Sequence, residues 1–321
     1  MRLRGVDFPS IMTASGTQGF FGEGYWYHGP WKLLGLTFKG CGFVAKTTTL
    51  LARPGNMPMK QDGITPREFF PKCIVVRPLK GVVLNAVGLS GPGTPALLER
   101  NIWQQRKGAP WFLSFMAPDG SDQEKLDQLK EFILLLNIYK IKEWNARIGL
   151  ELNLSCPNTG TDLSNLVQLA GQMLDIVTPF GIPIQIKINA TIPPEIAKQI
   201  MLHRACDAIV CSNTIPWGKL PDKINWKKLF GSETSPLDHL GSGGLSGWPL
   251  REIVFEWIRN IRDCGMTKPI WTCGGIDSPE AVYKAFDAHA SGIQVGTVAM
   301  LRPWRMKSII RAVRELRPGS T

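Results

Sequence analysis

The stretch Ile184-Gln185-Ile186-Lys187-Ile188-Asn189 alternates aliphatic and polar residues with period two. Leu150-Glu151-Leu152-Asn153-Leu154-Ser155 does the same. Period two puts each polar set on one face of a strand. In a closed barrel the aliphatic face meets the surrounding helices and the polar face lines the interior. An unpaired buried polar group costs about 1–3 kcal/mol, so a polar interior needs partners, and a polar ligand at the barrel mouth would supply them.

Working outward, short β-rich runs at 42–47, 82–86, 111–116, 149–155, 183–189, 207–212, 269–273 and 292–297 alternate with amphipathic helical stretches at 123–144, 163–177, 194–204, 249–264, 279–287 and 304–315. Eight strands with intervening helices predict a (β/α)8 TIM barrel, with a doubly wound open sheet as the alternative. Asp277-Ser278-Pro279-Glu280 offers a cap and a first-turn proline, and Gly265 a C-cap. Two stretches, 51–80 and 214–247, lack a regular pattern. They are expected as extended loops over the C-terminal mouth of the strands, with small strands within them left open, since loops of that length usually serve a function. There is no repeat, linker or low-complexity segment, so residues 1–321 are expected to form a single domain.

Bulk properties narrow the classes. A chain of 321 residues with 44% hydrophobic and 20% charged residues affords a large core, which excludes wholesale disorder. The 37 Lys and Arg against 26 Asp and Glu give a net charge of +11, suited to an anionic substrate, a phosphate-bearing cofactor, RNA or simply a solvated surface. The excess is spread along the chain, so no nucleic acid partner is expected. No apolar run reaches ~18 residues, so no membrane segment is expected, and Met1-Arg2-Leu3-Arg4 lacks the apolar continuation of a signal peptide. The seven cysteines, odd in number and without CxxC spacing, speak against a disulfide framework or a metal site. A cytoplasmic location is expected.

Barrel enzymes build their sites at the C-terminal ends of the strands. There the sequence places Lys46, Asn85, Ser114, Asn153, Lys187, Asn189, Ser212 and Asn213, and a shared ligand site is expected. Three glycine clusters follow in the second half: Gly241-Ser242-Gly243-Gly244-Leu245-Ser246-Gly247, Cys273-Gly274-Gly275-Ile276 and Gly296-Thr297. Backbone N–H groups in such turns hold phosphate without a basic side chain, so a phosphorylated cofactor is expected. The sharpest segment is Asn153-Leu154-Ser155-Cys156-Pro157-Asn158, in which two asparagines flank a thiol. Asparagine both donates and accepts, which suits a planar heterocycle with N–H and C=O groups. The thiol can serve as general base, nucleophile or buried filler. Chemistry is favoured for Cys156, filler for Cys41, Cys73, Cys206, Cys211 and Cys264.

From Thr13-Ala14-Ser15-Gly16 to Gly296-Thr297 the chain resembles class 1 dihydroorotate dehydrogenase, an FMN enzyme of pyrimidine biosynthesis. The likeness is carried by Ala45-Lys46-Thr47-Thr48-Thr49, Arg53-Pro54-Gly55-Asn56, Leu84-Asn85-Ala86-Val87-Gly88-Leu89, the Cys156 segment, Lys187, Ser212-Asn213-Thr214 and the glycine clusters. The resemblance implies oxidation of dihydroorotate to orotate, with Cys156 as the base at C5 and hydride transfer from C6 to flavin N5. It implies Lys46 as a catalytic cation near the substrate carboxylate and flavin. Asn85, Asn153, Asn158, Asn213 and Thr214 would hold orotate through side chains, and Gly88 and Leu89 through backbone. Lys187 would sit beside flavin N1 and O2. Ala14, Ser15, Gly16, Lys46, Thr47, Ser114, Asn153, Ser212, Gly247, Cys273, Gly274, Gly275, Gly296 and Thr297 would contact FMN.

A homodimer and an iron–sulfur flavoprotein electron-transfer subunit are the implied partners. Ser114 matches the homodimeric subclass, whereas 84–89 and 13–22 look more like the partnered one. Class 2 relatives carry serine at the base position and an N-terminal membrane segment, and this chain has neither feature. The alternatives are a tRNA dihydrouridine synthase-like enzyme, which usually adds a helical domain after the barrel, and a dihydropyrimidine dehydrogenase-like enzyme. A non-catalytic flavin subunit is disfavoured by the joint presence of Cys156, Lys46 and Lys187.

Overall fold

The structure, a computed structural model, describes residues 1–154 and 163–318. In chain order the strands are β1 (Arg2–Leu3), β2 (Val6–Asp7), β3 (Ile11–Thr13), β4 (Ile74–Arg77), β5 (Val82–Asn85), β6 (Trp111–Phe115), β7 (Ile148–Asn153), β8 (Ile184–Ile188), β9 (Ala208–Cys211), β10 (Ile215–Pro216), β11 (Gly244–Gly247), β12 (Ile270–Cys273) and β13 (Gly292–Val295). The α-helices are α1 (His28–Leu33), α2 (Thr94–Glu99), α3 (Ile102–Gln105), α4 (Asp122–Ile138), α5 (Leu163–Val177), α6 (Pro194–Leu202), α7 (Trp226–Phe230), α8 (Leu250–Asp263), α9 (Pro279–Asp287), α10 (Thr297–Leu301) and α11 (Met306–Leu316).

Seven parallel strands run in the order β3-β13-β12-β9-β8-β7-β6. Residues 42–48 close the ring. Met12 bridges to Gly42 and Val44 to Phe112, both in parallel. Gly42 N donates to Ile11 O at 2.8 Å on one side, and Phe112 N to Phe43 O at 3.0 Å on the other. The result is a (β/α)8 barrel whose eighth stave pairs through bridges rather than as a regular strand.

One expected barrel strand is misplaced. Residues 82–86 do not enter the barrel. They contribute β5 to an antiparallel sheet, β10-β11-β5-β4, whose Ile74, Val76, Val83 and Asn85 line a cavity at the mouth. The stave in its place is β3, too short at three residues to show a period. A brief apolar run such as Val82-Val83-Leu84 cannot be assigned to one sheet or another by pattern. The stretches 51–80 and 214–247 hold the small strands that the pattern could not place, β4, β10 and β11, together with the short helix α7. Gly244–Gly247, read as a turn before a helix, pairs along β5 from Gly244 opposite Asn85 to Gly247 opposite Val82. A Cβ on Gly247 would lie 2.3 Å from Gly81 O, so this pairing requires glycine there.

The barrel interior is layered. At the bottom, Phe8, Met12, Val44, Phe112, Val210 and Trp271 form an apolar cluster of their own, with Phe8 and Phe112 stacked at 4.3 Å. Their bulk is accommodated by Gly149 and Gly292: a Cβ on either would fall 2.5 Å from the ring of Phe112 or Trp271. Above lie the fully buried polar residues Ser114, Glu151, Gln185 and Gln294. The alternate residues Leu150, Leu152, Ile184, Ile186 and Ile188 join the large outer core with the helices. Helix starts follow their local signals. Ser121 and Glu124 make a reciprocal capping box on α4, and Ser278 caps α9 by accepting from Ala281 N. Gly265, at φ +82°, closes α8. Among the described residues no helix is long and apolar enough to cross a membrane.

Candidate active site

The C-terminal ends of the staves open into a cavity of about 1070 Å3. That is at the upper end of the ~300–1,000 Å3 typical of small-molecule pockets, room for a cofactor and a substrate together. Its wall brings together most of the residues expected from sequence: Ala14, Ser15, Gly16, Lys46, Thr47, Asn85, Gly88, Leu89, Asn153, Lys187, Ser212, Asn213, Thr214, Gly247, Cys273, Gly274, Gly275, Gly296 and Thr297. Asn189 does not line it, and neither does Ser114. Ser114 is fully buried one layer lower, outside the wall, and its hydroxyl donates to Glu151 Oε1 at 3.0 Å. The expectations for Cys156 and Asn158 lie outside the described residues.

The polar end is tied together by short contacts. Asn213 Nδ2 donates to Asn153 Oδ1 at 3.0 Å, linking the ends of β9 and β7. Asn213 Oδ1 accepts from Thr214 N at 2.9 Å, and Asn189 Nδ2 donates to Thr214 O at 2.5 Å. Ser212 Oγ accepts from Ala190 N at 2.9 Å. Asn85 reaches this group from β5, its amide donating to Gly244 O at 3.4 Å. Gly88 and Leu89 both lie in the left-handed region, at φ +69° and +61°, which turns the chain at the cavity wall.

Two lysines set the electrostatics. Lys46 is buried, its ammonium donating to Ser90 O at 2.5 Å and lying 4.5 Å over the Phe20 ring. Burial pushes its pKa down to about 8, against the pull of Glu23. Lys187, on β8, is 5% exposed, and its ammonium donates to no acceptor among the described residues. Burial works against that charge, but Cys273 and Glu151 outweigh it and leave the pKa raised. Cys273 itself is raised by burial, with Lys187 opposing. Burial also lifts the Cys211 thiol well above the ordinary range and Cys206 to about 12, consistent with inert filler.

At the opposite end the glycine clusters form a cradle. A Cβ on Gly275 would lie 2.6–2.7 Å from Arg251 at the start of α8, so only a bare backbone fits between that helix and the cavity. Thr297 Oγ1 donates to Ser246 Oγ at 3.0 Å. Behind the cradle, Asp277 takes Arg251 and Arg302 in ion pairs and accepts Arg305 at its carbonyl. The cavity therefore presents an ammonium with no hydrogen-bond acceptor among the described residues, a glycine-walled end and a cluster of amides. These residues fit an FMN-type cofactor.

The sequence reading missed two features. The interior network around Glu151 was visible as alternation within β7, β8 and β13, but its convergence required the barrel. The aromatic wall was not legible at all. Trp26 packs edge-on to Phe69 and Phe70 at 5.5 and 5.2 Å, and its indole donates to Phe69 O at 2.6 Å. It joins two segments with no shared pattern.

Comparison with known proteins agrees with this geometry. Dihydroorotate dehydrogenase B (NAD(+)), catalytic subunit, of Geobacillus sp. is 29% identical over 311 residues, covering 94% of this chain and 84% of the relative. The protein of the same name from Carboxydothermus hydrogenoformans is 28% identical over 321 residues, covering 95% and 87%. Two crystal structures of DHODH from Eimeria tenella, one with ferulenol and one ligand-free, superpose with a TM-score of 0.68 at 17% and 18% identity. They cover 98% of this chain and 83% and 86% of theirs, and they establish the fold. The family profile described as dihydroorotate dehydrogenase matches residues 3–316. A polar, cation-floored cavity at the mouth of this barrel, and a profile match along nearly its whole length, place the chain in the dihydroorotate dehydrogenase family, whose members are oxidoreductases.

Proposed function

We propose that the protein oxidises dihydroorotate to orotate with FMN, in the cytoplasm, as a step of pyrimidine biosynthesis. The observation that carries this reading is the Lys187 ammonium, held on the cavity floor without an acceptor among the described residues. A fixed cation there stabilises negative charge that develops during the reaction. Bound FMN supplies the acceptor for the hydride. Gly274, Gly275, Gly296 and Thr297 would hold its phosphate through backbone N–H groups, and Lys187 would face its N1 and O2 edge.

On the substrate side, Asn85, Asn153, Asn158, Asn213 and Thr214 would orient the pyrimidine ring by its N–H and C=O groups. Lys46 would pair with the carboxylate. Cys156 takes the proton from C5 while the C6–H bond gives up its electron pair as hydride, and the C5=C6 double bond forms. Both hydrogens removed from the substrate are thus accounted for.

The test is anaerobic addition of dihydroorotate to the purified yellow protein. Loss of the flavin absorbance at 1:1 stoichiometry is expected, and a spectrum that does not bleach overturns the reading. Dihydrouracil and tRNA, run in parallel, should leave the flavin oxidised. The chain is further proposed to work as a homodimer with an iron–sulfur flavoprotein subunit that passes electrons to NAD. Reduction of NAD by the isolated chain at the rate of the assembled enzyme would overturn that assignment.

A further inference from the structure

We propose that Glu151 is a positioning residue for the redox reaction: it is the counter-charge beneath Lys187, and it moderates how strongly that cation favours the reduced cofactor. The inference rests on the flavin reading above and asks what the layer under the cavity floor is for.

Glu151 is fully buried in the middle layer of the barrel. Its Oε1 accepts from Ser114 Oγ on β6 at 3.0 Å. Its Oε2 accepts from Gln185 Nε2 on β8 at 2.7 Å and from Gln294 Nε2 on β13 at 3.2 Å. Side chains from three staves thus converge on a carboxylate carried by a fourth. Above Ser114 the hydroxyls of Thr47 and Ser15 continue the chain at 2.9 Å steps to the cavity wall. The adjacent lower layer shows that this barrel can be filled with apolar side chains. Burying a carboxylate instead is costly unless it is paired and hydrogen-bonded.

The register shows where that charge acts. Glu151 pairs with Gln185, and Asn153 with Lys187, so Lys187 lies one inward-facing step above the carboxylate and on the same interior face. The groups acting on Lys187 are Cys273 on β12 and Glu151 on β7, and of these only Glu151 is a carboxylate. With a neutral oxidised flavin above, Glu151 balances the ammonium. When the cofactor gains negative charge, the two anions share one cation. An uncompensated Lys187 would hold electrons on the flavin. A compensated one lets them arrive from substrate and leave again.

Glu151→Gln separates charge from scaffolding. The Gln carbonyl can still accept from Gln185 and Gln294, and its amide can donate to Ser114, whose own proton then turns to Thr47. A purely structural Glu151 therefore predicts an unchanged flavin potential. The proposal predicts that Glu151→Gln raises the midpoint potential, measured by dye-equilibrated reduction without dihydroorotate, by at least tenfold in the equilibrium constant (about 30 mV for a two-electron couple). Lys187→Met should lower it, and the double variant should lie between the two singles. An unchanged or lowered potential in Glu151→Gln overturns the proposal. If that variant does not fold, Glu151→Met combined with Lys187→Met gives the same test: its potential must exceed that of Lys187→Met alone, and an equal or lower value overturns the proposal. A wild-type chain that takes up no flavin overturns the flavin reading, and this inference with it.

Discussion

The two halves of the barrel interior are built on the same staves and have opposite chemistry. Below, Phe112, Val210 and Trp271 fill the space with apolar bulk. Above, two residues further along, Ser114, Ser212 and Cys273 face polar neighbours or the cavity. A single strand thus carries a packing residue and a functional residue at consecutive inward positions. The lower half is held by van der Waals contact, with the Trp271 indole N–H finding no acceptor among the described residues. The upper half is joined as a network through Glu151, while Gln185 Oε1, Gln294 Oε1 and the Lys187 ammonium have no hydrogen-bond partner among the described residues. Stability is concentrated at one end and reactivity at the other, and the difference can be tested layer by layer.

The largest effect is expected at the mouth. Cys156→Ala should bind flavin with an unchanged melting temperature, yet slow its reduction by dihydroorotate ~10²–10⁴-fold, as for loss of a general base. Stopped-flow absorbance decides this, and a wild-type rate removes Cys156 from the reaction. At the bottom, Trp271→Ala should cost ~3–5 kcal/mol of stability, read by urea unfolding, while the folded protein still turns over. A loss of turnover as deep as that of Cys156→Ala, at unaltered stability, would break the division between the halves.

Gly292→Ala probes the packing side with a single methyl. Its Cβ would meet the Trp271 ring at 2.5 Å, so overpacking of ~1–3 kcal/mol is expected, with orotate affinity unaltered. The smallest effect is on the functional side. Lys46 titrates near 8 because burial disfavours its charge, so it is a cation below that pH and neutral above it. Orotate affinity, followed by flavin absorbance, should be flat below pH 8 and then fall by up to tenfold per unit, about 1.4 kcal/mol. Affinity that stays level to pH 9.5 would show that Lys46 does not carry the carboxylate.

How far this was legible differs from residue to residue. Lys187 and Asn153 were readable because alternation within a strand survives in the sequence, and they line the cavity as expected. Ser114 was read as a polar residue at a strand end and, through the resemblance, as an FMN contact, because a strand's sequence does not reveal its stagger against its neighbours. That stagger puts it a layer too low. Asn85 was read as the end of a barrel strand. It reaches the cavity wall from the antiparallel sheet instead. Of the charge behind the net +11, the cavity buries only the lysines Lys46 and Lys187.

The sequence by itself determined the alternation that makes a polar-lined barrel, the caps that start its helices, and the amide, lysine and glycine motifs of the mouth. These are local properties, set by periodicity, by φ preferences and by the donors and acceptors each side chain carries. The tertiary structure decided which stave closes the ring, that residues 82–85 roof the cavity rather than wall the barrel, and that Ser114, Gln185 and Gln294 converge on Glu151. Those outcomes depend on register and closure between segments far apart in the chain, which no local pattern encodes.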